Sequence, residues 1–144
     1  MTPVRTIMTR DFEIILPETT IQEAAAMMEK LNVGILPVID GEHVAGTVTD
    51  RDICIRGVAY GADPVRKQVY EIMSTNIVTC HEDDSLEHVV NLMEEHQLRR
   101  ILVLNAQDKL VGICALADIA THTESVPYAS ELLIEVSRPG HPRH

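Results

Sequence analysis

Residues 46–52 read Gly46-Thr-Val-Thr49-Asp50-Arg51-Asp52, and their spacing suits one kind of chemistry. A β-branched run leads into this stretch and a helical pattern leads out. Thr49 therefore falls at a strand-to-helix junction, with Asp52 one turn on and facing the same way. A carboxylate so placed can accept two hydrogen bonds from vicinal hydroxyls, as acidic residues commonly hold a ribose. The free N–H groups of a helix start suit an anion, and Gly46 allows close approach of the backbone. The same Thr-x-x-Asp is also a capping box with Asp in place of Glu, worth ~1 kcal/mol and no chemistry. Residues 112–118, Gly112-Ile-Cys-Ala115-Leu-Ala-Asp118, repeat the pattern with the hydroxyl gone and the acid kept. An Asp kept without its capping hydroxyl favours a second use for that position.

Other reactive side chains offer less. Arg99 and Arg100 stand side by side in an acidic chain; by themselves they read as a solvated rim or an ion pair with Glu94 or Glu95. Cys54, Cys80 and Cys114 have no Cys-x-x-Cys spacing and apolar neighbours, which reads as three small buried hydrophobes rather than a disulfide framework or a redox sensor. Neither Cys80-His81 nor the pair His141 and His144 has the spacing of a zinc site, so no metal is expected. His88 and His96 fall on the exposed face of a helix. With no nucleophile elbow, no phosphate-binding loop and no metal-ligand set, the chain does not read as an enzyme.

The elements that position these residues come from a chain of 144 residues, 45% hydrophobic and 24% charged, enough for a folded core. Its formal charge of −10 leaves no electrostatic footprint for nucleic acid or an anionic membrane. With no Trp, one Phe and three Tyr, base stacking has no platform. No apolar run approaches the ~18 residues of a membrane span, and residues 1–11 lack a signal peptide's apolar stretch, so a cytoplasmic protein is expected.

The chain also repeats itself. Val4-Arg-Thr-Ile-Met-Thr9 recurs as Val69-Tyr-Glu-Ile-Met-Ser74, and at the same offset of 65 residues 20–29 lie over 85–94 and 36–40 over 101–105. One further residue in the next turn then aligns Gly46 with Gly112, Asp52 with Asp118 and Ile53 with Ile119. Each copy predicts β-α-β-β-α. First come strands at Phe12–Leu16 and Ile77–Cys80. In copy one a helix follows from a Thr20/Glu23 box, with Ile21, Ala24, Ala25, Met28 and Leu31 on its buried stripe. In copy two Asp84 or Ser85 caps, Glu87 boxes with Asp84, and Leu86, Val89, Val90 and Met93 are buried. Ile35–Ile39 and Ile101–Leu104 are fully buried strands. They turn at Asp40-Gly41 and Gln107-Asp108 into Val44–Val48 and Leu110–Cys114. Short helices follow near Asp50–Val58 and Leu116–His122. Asp63-Pro64 starts a helix running towards Met73, and the tail carries an amphipathic stretch at Tyr128–Val136. The expected divisions are repeat one at 4–58, a linker at 59–68, repeat two at 69–122 and a tail at 123–144.

The duplicated unit, the Ile-Met-Thr and Ile-Met-Ser openings, Leu-Pro-Val-Ile-Asp (36–40) and the Gly-x-x-Thr-x-x-Asp ending resemble a tandem pair of cystathionine-β-synthase (CBS) domains, a Bateman module. Thr-Asp-Arg-Asp-Ile (49–53) and Met-Glu-Glu-His-Gln-Leu-Arg-Arg (93–100) are similar to stand-alone bacterial pairs. The resemblance implies an α/β (α+β) fold of two β-α-β-β-α copies about a pseudo-twofold axis. It also implies homodimerisation and, with no required cofactor, binding of an adenosyl ligand such as AMP, ADP, ATP, NAD(H) or S-adenosylmethionine. One site would hold ribose on Thr49 and Asp52, completed by Ile77, Val78 and Leu98. The other would use Asp118 and Ile113 with Phe12 to Ile14, Val33 and Gly34, and Ala115 departs from its Ser/Thr pattern. Arg99 and Arg100 would reach phosphate. The function expected is a regulatory module acting through a protein effector; the alternative is a structural homodimer with vestigial sites.

Overall fold

The computed structural model describes residues 2–122; the expected tail at 123–144, with its amphipathic stretch and its histidines, lies outside them. The fold is a mixed α+β one, built as two compact units. One comprises residues 13–77, the other residues 2–12 together with 78–122. The segment that opens each sequence repeat thus packs into the unit that carries the other repeat.

In the unit of residues 13–77, helix α1 (Ile21–Leu31) starts where expected. Thr20 accepts the Glu23 N–H and Glu23 accepts the Thr20 N–H, closing the capping box. The helix ends on Asn32 in the left-handed region, φ 55°, a conformation Asn tolerates better than most residues. Its buried face is Ile21, Ala24 and Met28; Ala25 and Leu31, placed on the stripe by spacing, are exposed. Strands β1 (Ile35–Asp40) and β2 (His43–Thr49) form the expected hairpin, turned by Gly41 at φ 64°.

The strand expected at Phe12–Leu16 shrinks to one bridge, Ile15 beside Val38. Ile15 N–H donates to the Pro37 carbonyl and Ile39 N–H donates to Ile15. The next bond of a parallel ladder would need an N–H from Pro37, which has none.

The linker helix expected from Asp63 to Met73 is also absent. A turn follows Pro64 and only Val69–Glu71 is helical, as one 3-10 turn. The backbone there is committed elsewhere, because the carbonyls of Lys67 and Pro64 accept the first N–H groups of α1, from Ile21 and Gln22.

The other unit repeats the plan with one more strand. β3 (Thr79–His81) runs parallel to β4 (Arg100–Leu104), which is antiparallel to β5 (Leu110–Ala115). Leu102, the counterpart of Pro37, keeps its N–H, and β3 is a true strand. Helix α3 (Leu86–His96) is capped by Ser85 and buries Leu86, Val89, Val90 and Met93, as the stripe predicts. Asp84 forms no box with Glu87; its carboxylate accepts the His81 N–H at 2.9 Å. Asp108 turns the second hairpin at φ 60°.

Each unit is closed by the opening segment of the other repeat. Val4 and Met8 join Val90, Met93, Ile101 and Cys114 in one core, and Thr9 exchanges two backbone hydrogen bonds with Ile113. In like fashion Val69 and Ile72 join Ile21, Leu36 and Val48, and Ser74 exchanges two bonds with Thr47.

Candidate functional site

The two strand-to-helix junctions place the candidate acids. In the unit of residues 13–77, β2 delivers Thr49 to the start of α2 (Asp50–Asp52). Thr49 Oγ1 accepts the Asp52 N–H at 3.0 Å, and Asp52 Oδ2 accepts the Thr49 N–H at 2.9 Å. Both residues are buried, Asp52 at 4% exposure. The capping box is therefore real, and it occupies Oδ2. The other oxygen, Oδ1, lies 3.9 Å from Arg56 Nε. After Asp52 the chain widens into a π turn, Ile53–Gly57, and then a 3-10 turn, Val58–Tyr60, in place of the regular helix expected to Val58. The first N–H groups of this helical run are already taken, Asp50's by the Gly34 carbonyl, Arg51's by Asp50 Oδ1 and Asp52's by Thr49 Oγ1, so the side chains rather than the helix end define this junction.

In the other unit β5 leads through Ala115 into α4 (Leu116–Thr121), and Asp118 Oδ2 accepts the Ala115 N–H at 2.8 Å. This corrects one step of the sequence argument. Asp118 has not lost its capping partner, because that partner is a backbone N–H that alanine supplies as well as threonine does. Its retention is no sign of a second use. Gly46 is corrected too. What approaches it is the Ser74 carbonyl, 2.4 Å from where a Cβ would stand, and Gly112 makes room for Met8 in the same way.

The remaining candidates divide between the units. Ile14, Val33, Gly34 and Ile77 belong with Thr49 and Asp52; Val78, Leu98, Arg99, Arg100 and Ile113 belong with Asp118. Gly34 is brought to its junction, its carbonyl accepting the Asp50 N–H at 3.0 Å, and Arg99 is brought to the other by the Leu116 N–H at 2.8 Å. Ile14 and Val33 are partly open to solvent at 38% and 37%. Arg99 and Arg100 are exposed and, among the described residues, form no ion pair with Glu94 or Glu95.

Cys80 and Cys114 are buried, and burial with nearby acid charge pushes each thiol up to about 12. Cys54, expected to be buried, is exposed on the π turn. No three His, Cys, Asp or Glu among the described residues come together as metal ligands. One residue went unnoticed in the sequence: Arg56, one turn past Asp52, whose Nη1 donates to the carbonyls of Ile72 and Met73 at 3.3 Å each. Its i+4 spacing from Asp52 was the available signal.

With this geometry in place the class of protein follows. The sequence matches the CBS domain family twice, at residues 4–56 and 69–125, and the chain belongs to that family. It is 40% identical over 137 residues to the CBS domain-containing protein YhcV of Bacillus subtilis, covering 95% of this chain and 96% of that one. The crystal structure of Hypoxic Response Protein I with two coordinated zinc ions superposes with a TM-score of 0.76 at 37% identity, covering 85% of this chain and 99% of that one. The CBS domain pair of protein MJ0100, in complex with 5′-methylthioadenosine and S-adenosyl-L-methionine, gives 0.71 at 29% identity, over 83% and 94%.

Proposed function

We propose that this chain is a regulatory rather than catalytic module that senses an adenosyl nucleotide (AMP, ADP, ATP, NAD(H) or S-adenosylmethionine), with the ribose held at the Thr49–Asp52 junction. The observation that carries this reading is the divided carboxylate of Asp52. Oδ2 serves the fold while Oδ1 meets only a guanidinium at 3.9 Å among the described residues. Each carboxylate oxygen has two lone pairs, so the acid can keep its cap and still accept hydroxyls. The Thr49 hydroxyl accepts from Asp52 N–H and retains its own proton to donate. The relation to a CBS pair complexed with two adenosyl compounds supports the ligand class.

A second reading has its own observation. Both Asp carboxylates are explained as caps, and among the described residues the nine exposed large apolar side chains, from Ile14 to Tyr70, all lie in the unit of residues 13–77. That suits a cytoplasmic homodimer whose ligand sites are vestigial. Neither reading calls for nucleic acid or membrane, and no helix among the described residues is long and apolar enough to cross one.

A thermal-shift panel of AMP, ADP, ATP, NAD(H) and S-adenosylmethionine separates the two. A ligand at a hundredfold over its dissociation constant stabilises by ~2.7 kcal/mol, a Tm rise of roughly 5–10 °C in a chain of this size. Asp52→Ala removes the rise and Asp118→Ala leaves most of it, because only the first junction carries a hydroxyl. Silence across the panel, with a dimer in sedimentation, selects the second reading.

A further inference from the structure

Arg56 stands where three parts of one unit meet. It lies inside the π turn, one turn past the buried acid, and its side chain is 53% exposed. Nη1 donates to the carbonyls of Ile72 and Met73, which follow the 3-10 turn Val69–Glu71. A guanidinium has several donors in a fixed fork, so one side chain can serve both carbonyls and still turn Nε towards Asp52. The strap it holds is the segment that closes this core, through Ile72, Met73 and the paired Ser74. Gly57, next in the chain, lets the π turn rest on α1, where a Cβ would meet Ile21 Cδ1 at 3.0 Å.

The distance to Asp52 matters as much as the contact. At 3.9 Å, Nε balances the charge of Oδ1 without forming a hydrogen bond to it. A buried carboxylate needs such a counter-charge, and this one leaves the hydrogen-bonding positions of Oδ1 to an incoming hydroxyl. The second repeat has His122 at the corresponding place.

We propose that Arg56 is a positioning residue for the Asp52 site. It holds the charge of Oδ1 in place without consuming the atom and couples that atom to the Ile72–Met73 strap. The proposal rests on the reading of Asp52 as the ribose acceptor. If Arg56 served only as a cap for the strap carbonyls, its loss would be independent of Asp52.

The test is a double-mutant cycle of Arg56→Gln and Asp52→Asn, with Arg56→Lys beside it. Asn at position 52 can still accept the Thr49 N–H, which keeps the fold intact. Two readouts are taken: the Tm of the free protein, and calorimetric affinity with AMP and S-adenosylmethionine as probes. Arg56→Gln is expected to weaken binding roughly tenfold. Arg56→Lys, which keeps the charge, retains most of the affinity while losing stability. In the Asp52→Asn background Arg56→Gln changes affinity no further, and the two single Tm losses together exceed that of the double variant. Additive Tm losses, or unchanged affinity in Arg56→Gln, overturn the proposal. Should neither probe bind the parent protein, the nucleotide reading fails, and the Tm cycle alone decides whether Arg56 acts through Asp52.

Discussion

Replacing Gly46 by alanine tests the packing that carries the candidate site. Gly46 does not have a positive φ, so the cost of a side chain is steric. The added Cβ would stand 2.4 Å from the Ser74 carbonyl oxygen and 3.1 Å from Met73 Sδ. That oxygen is not free to turn, since it accepts the Thr47 N–H at 3.0 Å while Ser74 N–H donates to Thr47 at 2.9 Å. Relief therefore means parting the strap from β2. Overpacking costs about 1–3 kcal/mol and each loosened backbone bond about 1 kcal/mol. A total near ~3 kcal/mol lowers Tm by roughly 6–12 °C. Gly112→Ala is the internal control. Its Cβ would meet Met8 Sδ at 2.4 Å and Cγ at 2.8 Å, all on one flexible side chain. Met8→Ala removes those atoms, so the pair Gly112→Ala with Met8→Ala is destabilised less than its singles combined, by about 1 kcal/mol or more. Met73→Ala gives no such rescue to Gly46→Ala, because the nearest atom there is backbone. Urea unfolding of the four single variants, the two pairs and the parent measures all of this. A Gly46→Ala protein within about 0.5 kcal/mol of the parent, or one restored by Met73→Ala, would refute the reasoning.

Three further outcomes follow from the junctions and the thiols. Ala115 already has the extended backbone of an N-cap, φ −102° and ψ 156° against −114° and 164° for Thr49. Ala115→Thr is therefore expected to complete the box with the Asp118 N–H and stabilise by about 1 kcal/mol; an unchanged or lower Tm counts against it. In native protein at about pH 8 a thiol reagent is expected to modify Cys54 alone, with Cys80 and Cys114 reacting only on unfolding. The folded state keeps protons that the unfolded thiols release above the ordinary value of 9.0, so stability falls as pH rises from there towards about 12. Rapid labelling of all three thiols, or a flat stability profile in that window, contradicts the burial argument.

What was legible in the sequence is what local pattern controls. The stripe of α3, the Thr20 box and both hairpin turns depend on residues close in sequence and stand as read, while the α1 stripe holds at Ile21, Ala24 and Met28 but not at Ala25 and Leu31. Non-local commitments broke the other expectations. The linker helix yields because the carbonyls of Pro64 and Lys67 serve α1. Phe12–Leu16 is not a strand because of Pro37, whose missing N–H was visible in the sequence and went unweighed. That the Ile-Met-Thr and Ile-Met-Ser segments each close the other repeat's core has no local signal at all. Its one trace is a glycine at matching positions in both repeats, Gly46 and Gly112, of which Gly46 reads from sequence as room for a ligand.

The two junctions share a cap, and what they do not share is informative. Asp118 caps Ala115 while remaining half-buried, whereas Asp52 caps Thr49 at 4% exposure. Capping alone does not call for that extra burial, which costs free energy for any ionised carboxylate. The first repeat offsets the cost with Arg56, and it adds the Thr49 hydroxyl beside the acid. Burial and a counter-charge thus meet at one carboxylate, and its Oδ1 forms no hydrogen bond among the described residues. Such a combination is more than a cap needs, and the proposed ribose site is built on it. The case for a site in this chain therefore rests on Thr49, Asp52 and Arg56 together, and not on the recurrence of aspartate.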